Sequence, residues 1–477
     1  ALRETGRLAE ARPVEAFYPL PYAARQILLT RKRKIADAIL PNSLALPLYR
    51  PAMLREIARD LAGLPRYWCP LGEVIRRADV SPRSHLPPAV TLLSDDKRWE
   101  IKQATPAEPT VEPSKPKLHS QTAKNQRVCV LTCMKNEGPF ILEWIAHHRA
   151  LGVTDFIVYT NDCTDGTDTM LDLLAEKGLI TARRDNPWDP LDASDGGDPQ
   201  RTAFWHAQSQ PGIEDMDWIF PIDVDEFLNI HVGDGTLSAL FTACPDATMI
   251  SPLWRLFGND GQRQFEDRSI VQQMTRAAPE MCKKPFQAWG FKTLFRNDGS
   301  WGNFSVHRPR NPIPGREHAI RWISGHGVQM PPEFLASGWR ALKQQAGYSL
   351  VSLNHYSVRD AESYLVKRDR GRVNHIDEDQ GLAYWFRMNH NVVEDQSIAR
   401  RSAATDVELG RLMDDPDIAK QHAACVAAHR AKITELHDRP DHAALYAAIT
   451  GPVLEKLSSL TPHFGNWIFK AGPQAIP

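Results

Sequence analysis

Two carboxylates one residue apart, Asp223 and Asp225, close an apolar run that begins at Trp218. Carboxylates at i and i+2 put about two negative charges into a small volume, which is costly unless a cation lies between them. A hard divalent ion such as Mg²⁺ or Mn²⁺ takes oxygen ligands and bridges readily to phosphate oxygens. Residues 218–222 predict a buried strand, so the acidic pair falls at a strand terminus, where open α/β sheets bind ligands. An acidic turn after a strand is the plainer reading of the same residues.

Two more polar clusters follow predicted strands. Lys135-Asn136-Glu137-Gly138 comes after residues 128–132, and Asn161-Asp162-Cys163-Thr164-Asp165-Gly166-Thr167 comes after residues 156–159. Each alone reads as a turn or cap. The carboxyl ends of adjacent parallel strands share one edge of a sheet, however, so the three clusters can converge. The first two then offer hydrogen-bonding groups for a base and a ribose, and the third offers metal ligands.

The elements that must position these groups alternate. Strands are expected at 128–132, 156–159, 180–183 and 218–222. A helix opens at Pro139 and buries Phe140, Ile141, Trp144, Ile145 and His148, and a second buries Met170, Leu171 and Leu174. Strands separated by helices of this length imply right-handed crossovers and a mainly parallel sheet with helices on both faces. Residues 1–101 carry short helical patterns, such as Met53, Leu54, Ile57 and Leu61, and form an N-terminal accessory region. Residues 102–126, with prolines at 106, 109, 113 and 116, read as an extended linker. The α/β domain then spans 127–375, and 376–477 is an alanine-rich helical region.

Composition narrows the class. The 477 residues hold 57 Lys and Arg against 58 Asp and Glu, a formal net charge of −1, which gives no reason to expect nucleic acid as a partner. Seven cysteines, odd in number and without paired metal-ligand spacing, suit a reducing cytoplasm. No apolar run approaches the roughly 18–20 residues that span a bilayer. The basic run Arg31-Lys32-Arg33-Lys34 reads as a solvated face, with peripheral contact to an anionic inner-membrane surface as the sharper alternative.

In motif order the chain resembles the GT-A glycosyltransferases, especially bacterial family 2-like enzymes and their family 92-like relatives. The residues that carry the likeness run from Leu131 to Glu137, from Glu143 to His148 and from Val158 to Thr167. They continue with Gln200, the stretch 222–228, Trp254 to Gly258, Lys292, Asn354 to Val358, and Lys367 to Gly371. The resemblance extends over roughly residues 127–375, about half of the chain. The resemblance implies a GT-A, Rossmann-like sheet, a nucleotide-sugar donor (by default a UDP-sugar) and Mn²⁺ or Mg²⁺. By that carry-over Asn136, Glu137, Asn161, Asp165, Gln200 and Asp223 line the donor pocket. Asp223 and Asp225 are the metal-binding pair, and His355 completes the coordination, with His307 second choice.

Transfer with inversion needs a carboxylate to take the acceptor proton. Asp260, in the turn after the expected strand 248–256, and Glu226 are the candidates. Lys292 and Arg296, on the expected strand 290–296, are candidates to meet the leaving diphosphate, Trp254 and Phe257 to form an acceptor platform, and 297–303 to close as a loop. The Gln-x-x-Arg-Trp element of processive synthases is not evident, although Arg321-Trp322 occurs, so a single non-processive addition to a glycan, lipid-linked glycan or protein is expected. Thr160 departs from the acidic residue common in the family. Two other readings stay open: a nucleotidyltransferase or phosphohydrolase using the same carboxylates, and a non-catalytic glycan-binding protein. No Gly-x-x-x-x-Gly-Lys loop supports the first of these in its nucleoside-triphosphatase form.

Overall fold

The computed structural model describes residues 126–187, 199–371 and 381–473. The chain divides into two units, Ala1–Pro106 and Ala107–Pro477, and only the second contains described residues. The expected N-terminal helical region, the basic run at 31–34 and nearly all of the Pro-rich linker lie outside them.

In chain order the first strands are β1 (Val128–Met134), β2 (Asp155–Thr160), β3 (Thr181–Arg183), β4 (Trp218–Pro221), β5 (Glu226–Ile230), β6 (Met249–Ser251) and β7 (Leu253–Leu256). They are followed by β8 (Arg276–Ala277), β9 (Leu294–Arg296), β10 (Trp301–Asn303), β11 (Arg310–Pro312), β12 (Trp322–Ser324), β13 (Val351–His355) and β14 (Val393–Glu394). One large sheet has the order β12-β6-β9-β4-β1-β2-β3. Within it β9 runs against β4 and β6, and the other pairs are parallel. β1 leads by a helical crossover to β2 on one side and pairs with β4 on the other. That reversal opens a crevice at the carboxyl ends of β1 and β4.

Alternation along the strands builds two cores. Val128, Val130, Phe156, Val158, Trp218 and Phe220 point to one face, under α1 (Ile141–Leu151) and α2 (Thr167–Glu176). Cys129, Leu131, Ile157, Tyr159 and Ile219 point to the other, where α3 (Pro199–Gln208) supplies Ala203, Phe204 and Ala207. Further helices are α4 (Leu237–Ala243), α5 (Ile270–Gln273), α6 (Ala361–Asp369) and α7 (Leu382–Met388). The C-terminal helices are α8 (Ser402–Met413), α9 (Pro416–His437), α10 (Pro440–Ile449), α11 (Pro452–Ser458) and α12 (Asn466–Ala471). Their Leu412, Cys425, Ile433, Leu436, Leu445 and Phe469 join the first core, packing on α1, α2, α6 and α7, so they brace the sheet through the helices that cover it. No helix among the described residues is long and apolar enough to cross a membrane.

Three local expectations need correction. The strand expected at 248–256 is two strands: Pro252 has no N–H to give a ladder, so β6 stays in the large sheet and β7 joins a smaller sheet, β5-β13-β7. The strand expected to begin at Gly290 begins at Leu294. Of the loop expected at 297–303, residues 297–300 are irregular, whereas 301–303 form β10, pair with β11 and bury Trp301.

Candidate active site

The acidic pair sits on a four-residue turn between β4 and β5, and Glu226 holds that turn. Its Oε2 accepts the Asp223 N–H at 2.8 Å, and its own N–H donates to the Asp223 carbonyl at 3.0 Å. Its Oε1 accepts the Trp254 indole N–H at 2.6 Å. Helix α1 fixes β5 from the side. Trp144 Nε1 donates to the Glu226 carbonyl at 2.9 Å, and His147 Nε2 lies 2.9 Å from the Leu228 carbonyl. Burial drives His147 down to about 4, so it is neutral and donates, as that contact requires.

This turn opens into a cleft of about 540 Å³ that Asp223 and Asp225 line together with Glu137, Gln200, Lys292, His307, His355 and Lys367. Gln200 Nε2 donates to Asp223 Oδ1 at 2.6 Å, and Lys292 Nζ meets Oδ2 at 3.0 Å. On the other carboxylate, Lys367 Nζ donates to Asp225 Oδ2 at 2.6 Å while His355 Nε2 stands 3.6 Å from Oδ1. His355 arrives there because β13 runs antiparallel to β5 with His355 opposite Glu226, and Tyr356 N–H bonds the Asp225 carbonyl at 2.8 Å. Lys367 comes from α6, which Asp360 caps by accepting the Ser363 N–H at 2.7 Å.

The electrostatics follow from these contacts. Burial works to raise the Asp225 carboxyl, but the charges of Lys367, His355 and Arg359 outweigh it and hold it well below the usual carboxylate range. Burial likewise disfavours the Lys292 ammonium, yet Asp223 and Glu226 keep it above the ordinary lysine value. Glu226 is sealed from solvent, and burial pushes its carboxyl up to about 8. Lys and Arg outnumber carboxylates along the cleft: Lys135, Lys292, Arg340, Lys367, Arg370 and Arg387 stand against Glu137, Asp223 and Asp225.

The remaining candidates divide sharply. Glu137 reaches the cleft, but its carboxylate is gripped by Arg359 at 2.7 Å and by Arg370. Burial acts to raise it, and the two guanidiniums lower it further than burial raises it. Asn136, Asn161 and Asp165 are not among the residues lining the cleft. Asn136, at φ 52°, exchanges hydrogen bonds with Thr164, and Asp165 accepts the Gly138 and Thr167 N–H groups at 3.0 and 2.9 Å. Asn161 donates to Asp162 at 3.0 Å. Asp260 also lies off the cleft: its Oδ2 accepts from Thr275 N and Oγ1 at 2.9 and 2.7 Å. Arg296 stacks over Trp218 at 4.8 Å, and Phe257 is buried against Tyr356. Trp254 does line the cleft.

His307 is on the cleft wall with Nδ1 3.0 Å from the Phe291 carbonyl. Burial, helped by Lys292, pushes its pKa down to about 3, so the ring is neutral, Nδ1 carries the proton and Nε2 is an acceptor. Sequence reasoning missed Arg359, Arg370, Trp339, Arg340, Tyr384 and Arg387. Lys367 and Arg370 lay within a motif already noted, without a role. The others come from loops and from α7, where nothing in residue spacing signals convergence.

The donor set allows a test of the expected metal. Asp225 Oδ1 and His355 Nε2 are 3.6 Å apart, a spacing two ligands of one ion can span, and the buried His355 Nδ1 has no hydrogen-bond partner. No group of three or more His, Cys, Asp or Glu is poised to hold a metal among the described residues. Two protein ligands, with the rest left to phosphate oxygens and water, is an ordinary arrangement for Mg²⁺-like ions.

Residues 124–318 match the model of glycosyltransferase family 92. The chain is similar to a glycosyltransferase family 92 protein of Arabidopsis thaliana, 30% identical over 130 residues, 26% of this chain and 21% of the relative. It is also similar to one of Oryza sativa subsp. japonica, 27% identical over 165 residues, 34% of this chain and 26% of the relative. A third, from Ricinus communis, is 30% identical over 111 residues, 23% of this chain and 18% of the relative. These matches span about a fifth to a quarter of the relatives' own length. The match and the similar proteins agree with the family 92 resemblance that the strand-end motifs carried, and the mainly parallel α/β sheet is compatible with it.

Proposed function

We propose that the cleft transfers a sugar from a nucleoside-diphosphate donor, by default a UDP-sugar, to a glycan acceptor, with inversion and one addition per encounter. The observation that carries this reading is the placement of Asp223 and Asp225 on one turn at the β1/β4 crevice, each held by a lysine. Asp225 and His355 would hold Mn²⁺ or Mg²⁺, which when bound supplies positive charge to a leaving diphosphate.

The chain's own groups have separable tasks. Lys292 and Lys367 put two ammonium groups beside the site where diphosphate charge builds as the anomeric C–O bond breaks. Gln200 and Lys292 orient Asp223, and Glu226 orients the turn that carries both aspartates. Neither Glu226, enclosed and engaged at both oxygens, nor Asp260, outside the cleft, is carried forward as the acceptor base. Of the Arg321-Trp322 pair, Trp322 opens β12 and is buried, which favours a non-processive transfer.

Calorimetric titration with UDP, GDP and CMP, each with and without Mn²⁺, tests the reading. Metal-dependent binding of one nucleotide supports it; nucleotide turnover without a sugar acceptor favours a phosphohydrolase, and no nucleotide binding at all removes it.

A further inference from the structure

Outward from the acidic pair the cleft wall is aromatic. Trp254 packs on His355 with ring centroids 4.8 Å apart and on Trp339 at 5.9 Å, and His307 stacks on Trp339 at 4.9 Å and 25°. The Arg340 guanidinium lies over Trp339, 3.9 Å from the ring centroid. Trp339 and Arg340 also line a second groove of about 700 Å³, so this pair is the wall common to both cavities.

The charge at this wall is not consumed by the protein. Each cleft carboxylate already has a basic partner: Asp223 has Lys292, Asp225 has Lys367 and Glu137 has Arg370. Arg340 makes no ion pair among the described residues, and its Nε is buried without a hydrogen-bond partner. Burial and the nearby Arg387 guanidinium both lower its pKa, the situation of a cation set beside another cation. A half-buried guanidinium without an ion pair, beside a second guanidinium, is one that an anionic ligand would stabilise. Next to it the aromatic wall of Trp254 and Trp339 gives apolar surface that suits the C–H groups of a sugar ring, and the neutral His307 Nε2 can accept a hydrogen bond from a hydroxyl.

We propose that Trp339 and Arg340 form an acceptor subsite for an acidic saccharide, the ring packing against the aromatic wall of Trp254 and Trp339 and its anionic group pairing with Arg340. The proposal rests on the transferase reading and adds the charge of the acceptor. The shared wall makes the acceptor an oligosaccharide that continues into the second groove. Carboxylate and phosphate both fit a guanidinium fork, so the test separates them.

The full chain is titrated with a glucuronate-containing oligosaccharide, with its carboxyl-reduced neutral counterpart, and with glucose 1-phosphate, and with UDP in parallel. The glucuronate probe is expected to bind more tightly than the neutral one. Arg340→Ala should weaken it about tenfold, the scale of one charge-assisted hydrogen bond, and abolish the preference. Arg340→Lys should restore part of it, and Trp339→Ala should weaken acidic and neutral probes alike. Preferential binding of glucose 1-phosphate, lost in Arg340→Ala, keeps the anionic subsite and makes its ligand a sugar phosphate. Equal affinity for acidic and neutral probes, or an Arg340→Ala variant that loses UDP affinity alone, overturns the proposal. UDP binding without saccharide discrimination defeats this inference only, whereas failure of all three nucleotides defeats the transferase reading.

Discussion

Two strand-end regions of this molecule, the paired loops after β1 and β2 and the turn after β4, are built from similar polar residues and spend them differently. At the ends of β1 and β2, Asn136 and Asp165 turn their side chains on backbone and side-chain groups of the neighbouring loop, and Arg359 and Arg370 close on Glu137. At the end of β4, Asp223 and Asp225 face the cleft and meet side chains that share it, two lysines, a glutamine and a histidine. The first region spends its carboxylates on fixing loops. The second keeps them where a ligand can exchange partners with them, because Glu226 takes over the structural work of the turn.

The contrast predicts separable losses. Asp225→Asn, close in shape, should cut sugar transfer by about 10²–10³-fold, the scale of losing one preorganised charge, while thermal unfolding stays cooperative. Glu137→Ala should do the opposite. It strands two buried guanidiniums, so denaturant unfolding should show a loss of about 3–5 kcal/mol. If Glu137→Ala were instead stable and simply blind to nucleotide, the division between the regions would be wrong.

Glu226 sharpens the comparison through pH. Its carboxyl is raised by burial from 4.5 to about 8, so the folded state holds a proton that the unfolded state has released. That contribution is complete below about pH 4.5 and is lost as pH rises through 8. Unfolding measured across this window should show stability falling with pH, and Glu226→Gln should flatten the slope. The smallest effect is expected at Asp165. Removing its carboxylate leaves two N–H groups without an acceptor, costing about 1–3 kcal/mol in melts, with nucleotide affinity unchanged.

The layout of the sheet was readable because alternation and crossover length are local signals: Val128 to Val130, Phe156 to Val158 and Trp218 to Phe220 declare their faces in single short runs. The acidic pair was readable for the same reason, since a turn of fixed length follows a buried strand. The partners of Asn136 and Asp165 were not readable, because a side chain's partner in a neighbouring loop has no imprint on its own spacing. The same holds for Asp260: its position after β7 is as expected, but its carboxylate accepts from Thr275, fifteen residues on. Trp339 and Arg340 gave no signal at all, because they lie in an irregular segment that reaches the cleft through Gly290 and Trp254.

The central claim is that the Asp223–Asp225 turn receives the diphosphate of a nucleotide. Calorimetry of UDP with Mn²⁺, comparing the parent chain with Asp225→Asn, addresses it most directly. The account predicts saturable binding that needs the metal and falls at least tenfold in the variant, the shift expected when one charged contact is lost. Undiminished nucleotide affinity in Asp225→Asn would contradict it.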